Sequence, residues 1–352
     1  EYNGIKIFMS DGRKLCRIEE AEIEKHIESK RKVVANEKGK VENGAAYFEN
    51  YVRAVAEIAD DLSGLKVVLD CANGALSHVA KHVFESLNAT VYSFNDEGCG
   101  RIINHECGAT DTKFLRQKVK ELNADVGFAY DGDADRLGVI DNEGQFIHPN
   151  KLLVLLYYYL VKYRGWQGPC VRNNSTSHLL DRVAEGLGQR CYEVPVGFKW
   201  VSTKMTETDA IIGGESSGGM TVRGHISGKD GIYAAALLVE MLAVTGKSVS
   251  ALFAEIAAQY GDPQWAEADF RMTPERKTEL QDVLFTEKKV PEFGAAVDHI
   301  SREDGCKVYF ADGSWVICRF SGTEPLLRMA AEADTQDEAE RYIRVWRDFL
   351  KL

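Results

Sequence analysis

The chain has 352 residues, of which 45% are hydrophobic, and its formal net charge at pH 7 is −11. A chain of this length is expected to fold as two or more domains. Its acidic balance argues against a nucleic-acid-binding surface, which needs a basic face, and no apolar run reaches the roughly 18 residues of a membrane span. The eight cysteines are scattered without a C-x-x-C motif, so we expect free thiols in a cytoplasmic protein and neither a zinc site nor a disulfide scaffold.

Helical and strand-like segments alternate through most of the chain, and this order predicts α/β layers. A strand at 5–8, a polar helix at 17–31 and a glycine-containing linker at 38–44 come first. The next unit starts near Tyr47 and ends with a hairpin at 137–147, whose two strands flank an Asn-Glu-Gly turn.

The second half of the chain continues this alternation and then changes character. A third unit of apolar helices and strands starts near Asn150 and ends at a Gly-Asp-Pro break at 261–263. A helix, several strands and an amphipathic helix at 336–350 follow. That order is typical of a small α+β domain with a mostly antiparallel sheet.

An acidic loop follows an apolar strand of the second unit and carries alternate aspartates, Asp131, Asp133 and Asp135. Three carboxylates this close repel one another unless a cation lies among them, and oxygen ligands favour a hard ion such as Mg²⁺. Arg136 ends the loop with a fixed positive charge suited to a phosphate oxygen. An EF-hand calcium loop does not fit, because Arg136 stands where that loop needs Gly and Asn142 where it needs Glu. A metal site and a solvated acidic turn both stay open as interpretations.

A glycine- and serine-rich loop at 211–219 follows a short apolar strand of the third unit. It contains the pattern G-x-S-x-G, which would make Ser216 the nucleophile of a hydrolase elbow, but an elbow must lead directly into a helix. A β-like stretch follows instead, which disfavours that reading. The alternatives are a structural turn and a polyol-binding loop, in which glycines permit close approach while Glu215 and Ser217 offer hydrogen bonds.

A further loop in the last unit combines hydroxyl groups, a glycine and two arginines. Ser321, Gly322 and Thr323 form its centre, and Arg319 and Arg328 flank them. Such a set suits a dianionic phosphate, although the spacing of a P-loop is absent. Taken alone, the segment is equally consistent with a simple turn.

In this order, the three motifs resemble the α-D-phosphohexomutase family of phosphoglucomutases, phosphomannomutases and phosphoglucosamine mutases. The resemblance extends from Glu1 to the C-terminus and implies consecutive three-layer α/β domains with mixed sheets plus a small C-terminal α+β domain. It implies a remnant of a first domain at 1–44 and a metal-binding domain at 45–148. A sugar-binding domain at 149–261 and a phosphate-binding domain at 262–352 would follow.

The resemblance also implies a role for each motif residue. The magnesium ligands would be Asp131, Asp133 and Asp135, with Arg136 acting beside them. The substrate-binding residues that it implies are Lys199, Gly214, Glu215, Ser217, Arg319, Ser321, Gly322, Thr323 and Arg328. Lys229 and Lys6 match lysines that are proposed for proton transfer in the family.

Two departures from the family pattern affect the expected activity. The family's T-x-S-H-N-P loop, whose serine carries the phosphoryl group and binds magnesium, would precede Glu1, so we expect this chain alone to lack substantial mutase activity. Gly219 stands where phosphomannomutases and phosphoglucosamine mutases often have histidine, which shifts the expected proton transfer to Lys229.

The implied activity is the interconversion of hexose 1-phosphate and hexose 6-phosphate through a hexose 1,6-bisphosphate, which also serves as activator. The combination of Gly219 with Lys229 and Lys199 favours a phosphoglucomutase or phosphomannomutase. The alternatives are a phosphoglucosamine mutase, a phosphosugar-binding paralogue without turnover and, more distantly, a magnesium phosphatase with Asp131 as nucleophile. The expected partners are hexose phosphates, without nucleic acid or membrane, for a monomer or homodimer.

Overall fold

The computed structural model describes residues 7–10, 12, 14–15, 17–30, 39–59, 61–322 and 324–352. Lys6 and Thr323, two of the predicted site residues, lie outside these ranges, as do residues 5 and 6 of the predicted strand at 5–8. Within the described residues the chain forms three β-sheets, which follow one another along the sequence.

The first sheet is mixed. Its strands are β1 (Lys66–Asp70), β2 (Thr90–Phe94), β3 (Val126–Tyr130), β4 (Leu137–Asp141) and β5 (Phe146–Ile147). Their order in the sheet is β2-β1-β3-β4-β5, in which β1 is parallel to both of its neighbours and β4 is antiparallel to both of its own. The helices before and between these strands are α1 (Arg17–Glu28), α2 (Ala45–Ala56), α3 (Ala80–Ser86) and α4 (Lys113–Leu122).

Both faces of the first sheet are covered by helices. Phe128 of β3 packs on one face, where its ring centroid lies 5.9 Å from that of Phe84 in α3. The next residue, Ala129, belongs to a core on the other face together with Leu115 of α4. Because successive strand residues point to opposite faces, this arrangement requires a continuous apolar strand, and every residue of β3 is buried.

The second sheet is also mixed. Its strands are β6 (Cys170–Asn173), β7 (Cys191–Val194), β8 (Ile212–Gly214) and β9 (Met220–Val222). Their order is β7-β6-β8-β9, with parallel pairing on both sides of β6 and an antiparallel pair between β8 and β9. The helices of this part are α5 (Pro149–Lys162), α6 (Leu179–Gly186), α7 (Phe198–Thr208), α8 (Gly231–Thr245) and α9 (Val249–Tyr260).

The first two sheets share one hydrophobic core. Helices α5 and α8 each supply more of its residues than any other element, and they are apolar on nearly all sides, as expected for helices buried between layers. Within the described residues, no single helix is long and apolar enough to span a membrane. Helices α8 and α9 meet that requirement only as a pair, and the pair is bent by 79°.

The third sheet is antiparallel throughout and belongs to the C-terminal part. Its strands are β10 (Gln264–Arg271), β11 (Val297–Ser301), β12 (Cys306–Phe310), β13 (Trp315–Phe320) and β14 (Leu326–Ala333), in the order β10-β14-β13-β12-β11. Helix α10 (Pro274–Gln281), a π-helical turn (Asp282–Thr286) and helix α11 (Gln336–Leu350) complete it. The predicted α/β domains with mixed sheets and a small C-terminal α+β domain are confirmed.

Helix α11 covers one face of the third sheet. Its buried residues recur at helical spacing, and the largest of them are Tyr342 and Trp346. The hydroxyl of Thr335 caps the helix by accepting a hydrogen bond from the backbone N–H of Glu338, at 3.3 Å. The opposite face of the third sheet is not covered by α11 and lies toward the part of the chain that contains the first two sheets.

That opposite face meets the second sheet through a group of charged residues, which we call the interdomain cluster. Its members are Arg172, His178, Asp181, Glu193 and Lys307. The Arg172 guanidinium contacts Asp181 at 2.5 Å and Glu193 at 2.6 Å. Lys307 Nζ lies 2.8 Å from Glu193 Oε2 and 3.0 Å from His178 Nε2. The side chains of both cations are almost fully buried.

Candidate active site

The acidic loop joins β3 to β4 and brings its three aspartates together. The carboxylate oxygens of Asp131, Asp133 and Asp135 lie within 4.8 Å of one another. The turn between them needs a left-handed residue, Ala134, with φ of 64°. The backbone N–H of Arg136 donates to Asp131 Oδ1 at 3.1 Å and fixes the return of the chain. A set of close carboxylate oxygens on one short loop fits a hard cation such as Mg²⁺.

The charges of the loop are only partly balanced by nearby cations. Burial, followed by repulsion from Asp133, raises the pKa of the Asp131 carboxyl to about 6, although the hydrogen bond from the Arg136 backbone opposes this. Arg136 Nε lies 3.4 Å from Asp131 and 3.9 Å from Asp135, and the arginine is half exposed. A divalent cation at this position would favour the ionised form of Asp131.

Two glycines hold the acidic loop in place from both domains. The backbone N–H of Gly231, at the start of α8, donates to the carbonyl of Ala134 at 3.1 Å. A Cβ on Gly231 would lie 2.8 Å from that carbonyl oxygen, and a Cβ on Gly74 would lie 2.5 Å from the carbonyl oxygen of Gly132. Because real Cβ atoms do not approach so closely, both positions need glycine for the loop to keep this shape.

Lys229 reaches the acidic loop from the second sheet. Its Nζ lies 2.8 Å from Asp135 Oδ1, and its side chain is 10% exposed. Gly219 makes this approach possible, because a Cβ at that position would lie 2.0 Å from Cδ of Lys229. The lysine stem therefore occupies the space that any larger residue at position 219 would take.

The glycine-serine loop is the tight connection between β8 and β9. Gly218 has φ of 94°, and its N–H donates to the Glu215 carbonyl at 3.0 Å. Ser216 is followed by strand β9 and not by a helix, so the context of a nucleophile elbow is missing. The Glu215 side chain is buried, and its Oε1 accepts hydrogen bonds from Gly197 N at 3.0 Å and Asn173 Nδ2 at 3.4 Å.

The two arginines of the C-terminal loop are direct neighbours in the third sheet. Arg319 on β13 pairs in register with Arg328 on β14, although nine positions separate them. Arg319 Nε donates to both oxygens of Asp304, at 2.9 and 3.0 Å. Arg328 Nη2 lies 2.5 Å from Glu324. Two adjacent guanidinium groups on one sheet face suit a bidentate contact with phosphate.

The turn between these two arginines is closed by hydrogen bonds among its described residues. Ser321 is buried, and its N–H donates to the carbonyl of Leu326 at 2.9 Å. The Ser321 hydroxyl accepts a hydrogen bond from the backbone N–H of Glu324 at 3.2 Å. Gly322 is exposed at the tip of the turn.

One cavity of about 570 Å³ connects the three motifs. The predicted site residues that line it are Asp131, Arg136, Glu215, Ser217, Arg319 and Arg328. Asn173, Ser175 and Ser216 also line it. Its volume lies within the range of roughly 300–1,000 Å³ that small-molecule sites occupy. The cavity therefore has an acidic loop at one part of its wall and two guanidinium groups at another.

Models of three domains of one protein family match the chain. They are phosphoglucomutase/phosphomannomutase alpha/beta/alpha domain II at residues 46–144, domain III at 148–260 and the C-terminal domain at 271–345. A phosphoglucosamine mutase of Oceanobacillus iheyensis is 32% identical over 347 residues, which cover 97% of this chain and 74% of that protein. The chain belongs to the α-D-phosphohexomutase family. The resemblance predicted from the motifs is thereby confirmed.

A second relative supports this assignment, and a solved structure shows the same fold. The phosphoglucosamine mutase of Ruthia magnifica is 32% identical over 342 residues, which cover 94% of this chain and 72% of that protein. A phosphoglucomutase/phosphomannomutase family protein of Burkholderia thailandensis superposes with a TM-score of 0.78 at 23% identity, over 94% of this chain and 69% of that one.

A more distant structure is that of the Aspergillus fumigatus N-acetylphosphoglucosamine mutase in complex with GlcNAc-6P and magnesium. It superposes with a TM-score of 0.59 at 17% identity, over 87% of this chain and 65% of that one. At these identities the two structures show a shared fold.

Some predicted site residues of this phosphohexomutase lie away from the cavity wall. Lys199, at the start of α7, does not belong to the described residues that line the cavity, and its Nζ lies 3.3 Å from Glu20 of α1. Gly214 is buried in β8, where its backbone packs against Leu153 of α5. Asp133 and Asp135 share the acidic loop with Asp131 but are not among the described residues that line the cavity.

Sequence reasoning missed two acidic residues of the cavity wall, Glu267 and Asp269 on β10. Both stand at alternate positions with Trp265, which also lines the cavity. The alternation of apolar and polar residues over 266–270 is a strand signal that could have marked them as one face. It could not have shown that this face turns toward the acidic loop and the arginines.

Proposed function

We propose that this phosphohexomutase family member binds glucosamine phosphate for the interconversion of its 1-phosphate and 6-phosphate forms, a reaction in which the family's serine loop accepts and returns the phosphoryl group. The observation that carries the proposal is the single cavity that joins the acidic loop, the glycine-serine loop and the two arginines. From the residue combination Gly219 and Lys229 we expected glucose or mannose phosphate. The relatives that are about 32% identical are phosphoglucosamine mutases, and they favour the alternative substrate.

The two arginines would hold the phosphate that is not transferred. Their adjacent guanidinium groups can contact several oxygens of a dianion at once, which fixes its orientation as well as its position. Because they recognise a phosphate and not a particular sugar carbon, the same groups can hold either the 1-phosphate or the 6-phosphate. The substrate can thus bind in two orientations, as the exchange of a phosphoryl group between two hydroxyls requires.

The acidic loop would hold Mg²⁺ through Asp131, Asp133 and Asp135, whose carboxylate oxygens lie close enough to share one ion. A bound magnesium ion would offset the negative charge on a transferring phosphoryl group. Arg136, which lines the cavity beside Asp131, would contact an oxygen of that group.

Lys229 would serve as the proton donor and acceptor for the sugar hydroxyl. Its Nζ is held at 2.8 Å from Asp135 Oδ1, beside the loop at which the phosphoryl group would be transferred. An ammonium at this place can give its proton to a departing alkoxide oxygen and recover it from the attacking hydroxyl. Glu215 and Ser217 would hold the remaining ring hydroxyls, since both line the cavity between the two ends.

Isothermal titration calorimetry of the chain with glucosamine 6-phosphate and Mg²⁺ tests the proposal. We expect binding that weakens at least tenfold in Arg328→Met, because a charge-assisted contact with phosphate is lost. The matched control is Arg344→Met, which removes an exposed arginine of α11 that pairs with Glu340. Absence of binding by the folded wild-type chain, or equal weakening in both variants, would contradict the proposal.

A further inference from the structure

Strand β10 presents different residues to its two sides. Ala266, Ala268 and Phe270 pack with the core beneath α11. Glu267 and Asp269, at the intervening positions, line the cavity on the other side. The strand period of two therefore separates an apolar face from an acidic one.

The neighbours of the two carboxylates across the sheet differ. Asp269 stands opposite Arg328, whose Nε lies 3.9 Å from Asp269 Oδ2, and Arg319 follows on the next strand. Glu267 stands opposite Ala330, which is followed on the next strand by Ile317. The sheet thus places a cation beside Asp269 and apolar side chains beside Glu267.

The surroundings of Glu267 disfavour its ionised form. Its partial burial in the cavity wall raises the pKa of the Glu267 carboxyl, and the charge of Asp269 adds to this, while the indole of Trp265 and the charge of Arg328 oppose it. Glu215 lines the same cavity from the second sheet and adds another carboxylate. Between the guanidinium groups and the acidic loop, the cavity is therefore lined by acidic side chains that a cationic group of a ligand would stabilise.

We propose that Glu267, supported by Asp269, is a specificity-determining residue that binds the free ammonium group of an aminohexose phosphate. This inference rests on the proposed function, and it adds the residue that recognises the amino group of the substrate. A hexose phosphate with a hydroxyl in place of the ammonium offers no charge to Glu267. An N-acetylated one offers a bulky neutral amide and leaves the carboxylate without its cation.

The test compares three ligands by calorimetry, each with Mg²⁺: glucosamine 6-phosphate, glucose 6-phosphate and N-acetylglucosamine 6-phosphate. The wild-type chain should bind the first most tightly. In Glu267→Gln its affinity should fall roughly tenfold, as expected for loss of a charged hydrogen bond, while glucose 6-phosphate binding changes less than about twofold. The matched control is Asp298→Asn on β11, an exposed carboxylate of the same sheet.

The outcomes separate this inference from the function on which it rests. If the wild type binds the hexose phosphates but Glu267→Gln leaves their affinity ratio unchanged, the role of Glu267 is refuted and the proposed function stands. If the wild type binds none of the three, the proposed function fails and the inference fails with it. Glu267→Lys gives a second reading, because a reversed charge should make glucosamine 6-phosphate the weakest ligand.

Discussion

The acidic loop and the interdomain cluster both contain carboxylates, but the pKa of these carboxyl groups is shifted in opposite directions. Burial alone would raise the pKa of Glu193 in the cluster, yet the charges of Arg172 and Lys307, which both donate hydrogen bonds to it, hold it well below its usual value. In the acidic loop, burial and a neighbouring carboxylate raise the pKa of Asp131 to about 6. The cluster thus neutralises itself, whereas the loop keeps an excess of negative charge that a bound cation would offset.

This difference separates charges that stabilise the fold from charges that remain available to a ligand. In the cluster, cation and anion approach to 2.5–2.8 Å and exclude water from the arginine and lysine side chains. In the loop, Lys229 pairs with Asp135 at 2.8 Å, but Arg136 stays 3.4 Å or more from Asp131 and Asp135 and is half exposed. Charges that are neutralised by partners within the protein interact only weakly with a ligand, whereas a group of charges that the protein neutralises only in part can still bind a ligand of opposite charge.

Removal of the cluster's arginine should give the largest effect. We expect Arg172→Met to lower the free energy of unfolding by about 3 kcal/mol, because Asp181 and Glu193 lose the guanidinium that offsets their charge. Urea denaturation measures the loss. The matched change in the other region, Asp131→Asn, should alter stability without Mg²⁺ by less than about 0.5 kcal/mol, because it relieves repulsion as well as removing contacts. An equal loss of unfolding free energy in Arg172→Met and Asp131→Asn would contradict the contrast between the cluster and the loop.

Acid should weaken the interdomain cluster at a pH where most surface carboxylates are still ionised. Burial, together with the charges of Arg172 and Lys307, lowers the pKa of His178 from 6.5 to about 3. Between these values the unfolded chain binds more protons than the folded one, so the free energy of unfolding falls as the pH is lowered from 6.5. His148, whose pKa burial lowers to about 4, acts in the same direction.

The expected loss from His178 between pH 6.5 and 4.5 is about 2 kcal/mol. Urea denaturation at several pH values measures it. His178→Asn should reduce the slope of the free energy of unfolding against pH by about half, because His148 still contributes. This expectation concerns the slope alone and does not depend on how stable the variant is at neutral pH. A slope that is identical in wild type and variant would show that His178 does not titrate in this way.

The motifs that sequence reasoning recovered are contiguous segments whose chemistry is local. The alternate aspartates of the acidic loop, the glycine-serine hairpin and the amphipathic helix at 336–350 each follow from residues a few positions apart. The interdomain cluster has no such signature, since Lys307 and Glu193 lie 114 positions apart. Glu267 was missed for the same reason, because its role depends on how the third sheet docks against the others.

Even within a motif, the partners of a side chain were not always predictable. Lys199 was predicted to bind substrate, but in this structure it pairs with Glu20 of α1. The sequence showed that Gly219 departs from the family pattern, but it did not show why glycine is needed at that position. Only the folded chain shows that the stem of Lys229 fills the space next to it.

The smallest effect should come from Gly219→Ala, and it tests whether glycine at this position serves Lys229. Gly219 is not in the left-handed region of φ, so alanine meets no backbone penalty there. Its methyl group would meet Cδ of Lys229 at 2.0 Å, and the lysine must move away from Asp135. We expect a loss of about 1 kcal/mol in the free energy of unfolding.

A double-mutant cycle with Lys229→Ala identifies the source of that cost. In the Lys229→Ala background, Gly219→Ala should cost almost nothing, because the competing stem is gone. An equal cost in both backgrounds would instead assign it to the nearby Asp135 carbonyl, which lies 3.2 Å from the added Cβ. If the cycle shows coupling, positions 219 and 229 cannot both carry long side chains in this geometry. Lys229, the proposed proton-transfer group, would then exclude any larger residue from position 219 in this chain.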